Sequence, residues 1–134
     1  MKTLKKAMII DDDEINNFIC IKNMKDISFA ENASYHLRAK EGLEYLKETL
    51  ESSEELPDVI FLDINMPVMN GWDFLKEYKS LLPQFNKPIA LFMLSSSIYR
   101  KDIDMAGDHD EVTDYIIKPL SKDKLKDIQS RYFS

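Results

Sequence analysis

Pro57-Asp-Val-Ile-Phe-Leu-Asp-Ile-Asn-Met-Pro-Val-Met-Asn-Gly71 carries the pattern on which the fold reading turns. Val59–Leu62 is an unbroken apolar run that stops at Asp63, and Met66-Pro67 and Asn70-Gly71 then bring turn residues. A short apolar run closed in this way fits a strand buried on both faces, as strands of parallel sheets are. Three further runs end alike: Ala7–Ile10 before Asp11, Ile89–Leu94 before Ser95, and Tyr115–Ile117 before Lys118-Pro119. Ala33–Arg38, where Tyr35 and Leu37 alternate with polar neighbours, is a weaker fifth strand.

Helical spacing fills the intervals. Ile15, Phe18, Ile19 and Lys22 make an i, i+3, i+4, i+7 stripe in Glu14–Lys25, expected to face the core. Glu41–Leu50 aligns Leu43, Leu46 and Leu50, and Trp72–Leu82 aligns Trp72, Leu75, Tyr78, Lys79 and Leu82. Ile98–Gly107 predicts a short helix through Tyr99, Ile103 and Ala106, ending at Gly107. Lys122–Tyr132 predicts a last helix, with Ser121 as N-cap and Leu125, Ile128 and Tyr132 on one face. Strand and helix thus alternate five times, the order of an α/β, doubly wound parallel sheet with right-handed crossovers. Glu51–Pro57 reads as a solvated loop within a single domain covering residues 1–134.

Composition removes several functions. The 134 residues carry 18 basic and 24 acidic side chains, a net charge of −6, which argues against direct nucleic-acid binding. The single cysteine, Cys20, excludes an internal disulfide and reads as a buried hydrophobe. No apolar run approaches the roughly 18 residues of a membrane span, and the basic start lacks a signal peptide's apolar region. The expectation is a soluble cytoplasmic protein. Three scattered glycines, Gly42, Gly71 and Gly107, cannot build a glycine-rich phosphate loop.

Open parallel sheets bind ligands outside the carboxyl ends of their strands. Those ends here are Asp11 and Asp12, then Asp63, Ser95 and Lys118. Carboxylates gathered on one edge repel and call for a cation, and an all-oxygen set selects a hard ion such as Mg²⁺. A lysine and a hydroxyl opposite that ion would hold phosphoryl oxygens, so the chemistry indicated is Mg²⁺-assisted phosphoryl transfer.

Ala7-Met-Ile-Ile-Asp-Asp-Asp-Glu, the Pro57–Gly71 stretch, Met93-Leu-Ser-Ser-Ser and Tyr115-Ile-Ile-Lys-Pro-Leu together resemble the response-regulator receiver domain, from about Lys5 to Phe133. They stand in the family's order, separated by 51 (63−12), 32 (95−63) and 23 (118−95) residues. The resemblance implies a flavodoxin-like sheet of five strands in the order 2-1-3-4-5 with five helices. It implies that Asp63 is the phosphoacceptor, that Asp12 binds Mg²⁺ directly and Asp11 through water, and that the Asn65 carbonyl completes the metal's protein ligands. Lys118 would pair with the phosphoryl oxygens, Ser95 would be the switch hydroxyl and Tyr115 the switch aromatic. Asn65 and Ser97 would tune hydrolysis, and Lys118-Pro119 would be a cis peptide. Asp11, Asp12 and Asp13 leave the register of the acidic pair open; the family's pair follows the strand directly, which makes Asp13 the residue that opens the helix.

The function implied is that of a stand-alone, chemotaxis-regulator-like receiver in a two-component phosphorelay, a self-modifying signalling domain rather than a conventional enzyme. Its donor would be a sensor histidine kinase or a histidine phosphotransfer protein, and its output an unidentified protein target. The chain stops some fifteen residues after Pro119, so no output domain is expected, and with none a monomer is expected. Two alternatives stay open: a pseudo-receiver that binds protein without phosphotransfer, and a Mg²⁺-dependent aspartyl-phosphate phosphatase. A calcium loop at Asp11 fails, because its sixth and twelfth positions hold Asn16 and Lys22. His36 and His109, in a strand and an acidic loop, carry no expected role.

Overall fold

The computed structural model describes residues 3–96 and 100–133. Five parallel strands, β1 (Leu4–Ile10), β2 (Ala30–His36), β3 (Val59–Asp63), β4 (Ala90–Ser95) and β5 (Asp114–Ile117), lie in the order β2-β1-β3-β4-β5. The connecting helices are α1 (Glu14–Asp26), α2 (Ala39–Glu48), α3 (Gly71–Leu81), α4 (Arg100–Gly107) and α5 (Lys122–Tyr132). The expected fold class and strand order are both found. Among the described residues, no helix is long and apolar enough to cross a membrane.

The unbroken apolar runs follow from a sheet buried on both sides. Met8, Ile10, Ile60, Leu62, Leu91 and Met93 face a core shared with α2, α3 and Ala106 of α4. Their strand neighbours Ala7, Ile9, Val59, Phe61, Phe92 and Leu94 face a second core with Cys20, Met24, Leu125 and Ile128. Successive strand side chains point to opposite faces, so each run must be apolar throughout. Cys20 is buried, as expected, and burial pushes its thiol up to about 11, beyond the reactive range.

Two amphipathic readings are corrected. On α1, the stripe expected to face the core points outward, with Ile15 73%, Phe18 71% and Ile19 49% exposed. The buried side is instead Asn17, Cys20 and Met24. Asn17 explains the inversion: its amide donates to the Asp11 carbonyl at 2.9 Å, turning a polar residue inward and rotating the apolar stripe out. The second correction concerns β2, which starts at Ala30 and ends at His36, so Leu37 lies beyond it, while Tyr35 is 43% exposed. It is an edge strand, where one-sided exposure weakens the alternation that sequence reading relies on.

Helix ends agree better. Ser121 caps α5 by accepting from the Lys124 N–H, and Asp13 caps α1 by accepting from the N–H groups of Ile15 and Asn16. Asn70 and Asp73 form a reciprocal capping box at the head of α3. A short 3₁₀ turn at Leu82–Gln84, unforeseen in the sequence, carries Pro83 in its first turn. Glu51–Pro57 is a loop, though Leu56 within it is fully buried. Ser97, and Ile98 and Tyr99 at the expected head of α4, lie outside the described residues.

Gly71 allows α3 to start directly against the end of β3. A Cβ there would stand 2.9 Å from the Asp63 carbonyl oxygen and 3.0 Å from the Ile64 Cα, contacts that backbone cannot yield cheaply. Gly107 would meet nothing within 4 Å. Gly71→Ala is therefore expected to lose about 1–3 kcal/mol in urea unfolding, the usual cost of overpacking. Gly107→Ala should stay within about 0.5 kcal/mol of wild type or gain slightly.

Candidate functional site

Parallel register brings the carboxyl ends of β1, β3 and β4 level. Ile10 pairs with Leu62, Asp63 with Leu94, and Ser95 with Ile117, so Asp11, Asp63, Ser95 and Lys118 emerge at one edge. Backbone bonds past the ladder hold them there: the Asp11 N–H donates to the His36 carbonyl at 3.1 Å, and the Lys118 N–H to the Ser95 carbonyl at 2.8 Å. The Lys118–Pro119 peptide is cis, as the resemblance implied.

Asp11 is fully buried and every oxygen has a donor. Its Oδ2 accepts from Lys118 Nζ at 2.7 Å and from Asn16 Nδ2 at 2.9 Å; its Oδ1 accepts from the Asp13 N–H at 3.0 Å. Lys118 Nζ also lies 3.6 Å from Asp63 Oδ1, so one ammonium bridges two carboxylates from neighbouring strands. Burial works against the Lys118 charge, but the Asp11 hydrogen bond and both carboxylates outweigh it and raise the ammonium above its ordinary value. Burial first, then Asp11 and Asp12, pushes Asp63 up to about 6 against the pull of Lys118 and a hydrogen bond from the Asn65 backbone.

One carboxylate oxygen each from Asp11, Asp12 and Asp63 lies within 4.8 Å of the others, and Asp12 is exposed toward solvent. An all-oxygen set of this size with unbalanced negative charge fits a small hard divalent cation. Asn65, two residues beyond Asp63, is exposed on the loop that leads to α3. Val68 in that loop is fully exposed at φ 69°, in the left-handed region that β-branched residues avoid. The Met69 N–H donates across it to the Pro67 carbonyl at 2.8 Å, which folds the loop back toward the α3 cap.

Ser95 is fully buried at the end of β4. Tyr115 is half-buried on β5 and packs, like Val112, against the core that includes Ala106 of α4. Asn16 and Asn17 were missed by sequence reading. Both follow the acids within the first turns of a helix, and an asparagine that close to a buried aspartate is the signal that was available.

The family model of the response regulator receiver domain matches residues 7–129, and the chain belongs to that family. It is a receiver domain of two-component signalling. It is 32% identical over 125 residues, 93% of this chain, to the sensor histidine kinase CheAY of Helicobacter pylori. A two-component response regulator from Cytophaga hutchinsonii superposes with a TM-score of 0.87 at 27% identity, over 97% of each chain. The receiver domain of the histidine kinase CKI1 from Arabidopsis thaliana, solved with Mg²⁺ and BeF₃⁻, shares the fold at 20% identity (TM-score 0.75, 95% of this chain and 91% of that one). The chain spans only 7% and 14% of the first two curated relatives it matches, a Dictyostelium discoideum hybrid kinase and CheAY.

The raised Asp63 value has a stability consequence without metal. Its folded value, about 6, lies above the ordinary 3.8, so ionisation opposes folding. The penalty is absent below about pH 3, grows between about pH 4 and 6, and is complete above about pH 7. In a chelator, Asp63→Asn should be more stable than wild type by about 1–2 kcal/mol at pH 7.5, and the gap should close as pH falls toward 4. Urea titrations at four pH values measure it.

Proposed function

We propose that this domain takes a phosphoryl group from a phosphohistidine onto Asp63 and uses the modification to change a protein-binding face. The observation that carries this reading is the single lysine bridging two buried carboxylates beside an exposed third. Asp12 and Asp63 side chains and the Asn65 carbonyl would hold Mg²⁺, with Asp11 acting through water. Asp11 suits the indirect role because its oxygens already accept from Lys118, Asn16 and the Asp13 N–H. When bound, the ion would offset charge on the carboxylates and on the phosphoryl oxygens.

An Asp63 oxygen attacks phosphorus in line; the P–N bond breaks and its electron pair returns to the donor imidazole. Lys118, already 3.6 Å from Asp63, shifts from Asp11 toward the new phosphoryl oxygens. Water later cleaves the acyl phosphate in the same site, so the domain reacts on itself and is not a conventional enzyme. The Ser95 hydroxyl then hydrogen-bonds the phosphoryl group and Tyr115 follows inward, which alters the surface of α4, β5 and α5. Asp63 closes β3, whose register pairs it with Leu94, the residue before Ser95, so the hydroxyl has a short path.

The donor would be a sensor histidine kinase or a histidine phosphotransfer protein. Ile15, Phe18 and Ile19 support a docked partner: three large exposed apolar side chains within two turns of α1, on the helix that leaves the Asp11–Asp13 loop. Magnesium, the roles of Ser95 and Tyr115, a monomeric state and a cytoplasmic location belong to this same reading.

Incubation with acetyl phosphate and Mg²⁺ should add one phosphoryl group, about 80 Da in intact mass. Asp63→Asn or chelation should abolish the gain, and Lys118→Ala should reduce it at least about tenfold. No gain, together with no change on adding beryllofluoride, would leave a pseudo-receiver. Phe18→Ala should leave acetyl phosphate labelling intact but slow transfer from a phosphorylated histidine phosphotransfer domain by about tenfold, the weight of one buried interface anchor.

A further inference from the structure

Away from the acidic edge, the loop between α4 and β5 contains a carboxylate that the phosphoryl chemistry does not use. The Glu111 side chain is only 1% exposed, and its Oε1 lies 2.8 Å from His109 Nδ1. A carboxylate only accepts, so the Nδ1 proton points at Glu111 and the second nitrogen, Nε2, is the one that takes up a further proton. The His109 side chain is 26% exposed, which leaves it open to exchange with solvent. Its ring stacks on Trp72, the first side chain of α3 after Gly71, with centroids 5.7 Å apart and planes 24° apart.

We propose that His109, Glu111 and Trp72 form a protonation-sensitive latch that fastens the α4–β5 loop to the head of α3. With His109 protonated, the buried Glu111 charge has a counterion and the indole face has a cation above it. With His109 neutral, the hydrogen bond persists but Glu111 keeps a buried charge without that counterion, and the stack loses its electrostatic part. The latch is therefore tight with the imidazolium in place and looser with the neutral ring.

Other charged and titratable groups surround the latch. Asp108 and Asp110 flank His109 on its own loop, and Asp104 of α4 accepts the Asp108 N–H through its carbonyl at 3.2 Å. From α3, the buried Tyr78 hydroxyl has no hydrogen-bond partner among the described residues, and burial followed by the Glu111 charge raises it further from ionisation. Lys79 of α3 and Lys87 before β4 line a cleft with Asp110 and Glu111; Lys87 is already paired with Asp58 at 2.9 Å. Lys79 is thus the cation that α3 contributes to the lining of this cleft.

The latch joins two places that matter. Gly71, beside Trp72, donates its N–H to the Ile64 carbonyl at 2.8 Å, immediately after Asp63. On the other side, the Val112 N–H donates to the His109 carbonyl at 3.1 Å, and Thr113 and β5 follow. Proton uptake at His109 thereby bears on the surface of α4 and β5, whether or not Asp63 accepts phosphate.

Trp72 is the only tryptophan, so its emission reports the stack directly. At constant ionic strength, emission should fall by about a third or more between pH 8 and pH 5 as the imidazolium forms beside the indole. Asp63→Asn should keep this response, which separates it from titration of the acceptor, and His109→Gln should lose it. Amide exchange at Val112, corrected for intrinsic rates, should be about threefold or more faster at pH 8 than at pH 6 in wild type and equal at the two pH values in His109→Gln. A flat wild-type titration, or an unchanged response in His109→Gln, overturns the proposal. If His109→Gln does not fold, Trp72→Leu decides by exchange at Val112: the pH response should at least halve, and an unchanged response overturns the latch.

Discussion

Two carboxylates buried at the ends of adjacent strands, with one ammonium between them, set the terms for the rest of the structure. Asp11 and Asp63 would repel strongly in a low-dielectric edge without Lys118, and Lys118 reaches both from β5, two strands beyond β3. That reach starts from β5 held in register with β4, where Ser95 pairs with Ile117. The balance is incomplete by design of the charge count: three acids face one lysine, and Asp63 stays well above the ordinary carboxylate range. A deficit of this kind suits a small hard cation.

The same edge is coupled mechanically to both faces of the sheet. On one side, the amides of Asn16 and Asn17 tie the head of α1 to Asp11 and turn the helix's apolar stripe to solvent. On the other, Gly71 seats α3 against the Asp63 backbone, and the Trp72–His109 stack carries that contact to the loop before β5. A change of charge or position at Asp63 thus meets rigid neighbours in both directions, the condition for a small local event to move a distant surface.

Strand ends were highly legible because parallel strands buried on both faces must be continuous in apolar residues and must stop at polar ones; Asp11, Asp63, Ser95 and Lys118 all stand where those runs end. Caps were legible for a similar reason, since Asp13 and Ser121 satisfy helix N–H groups locally. The core face of α1 was not legible. Periodicity reports that an apolar stripe exists, not which way it points, and the deciding contact is a hydrogen bond from Asn17 to the Asp11 carbonyl. The edge strand β2 was blurred by exposure of Tyr35. His109 and Glu111 gave no sequence signal, because their partner Trp72 lies on another element and only the fold stacks the two rings.

A crystal structure of the protein soaked with Mg²⁺ and beryllofluoride decides whether Asp63 is the acceptor. The expected result is a BeF₃⁻ group bonded to an Asp63 oxygen, an ion held by Asp12, Asp63 and the Asn65 carbonyl, and Lys118 Nζ moved from Asp11 to a fluorine. An ion bound without the Asp63 carboxylate, or BeF₃⁻ absent with Lys118 still on Asp11 at saturating ligand, would contradict it.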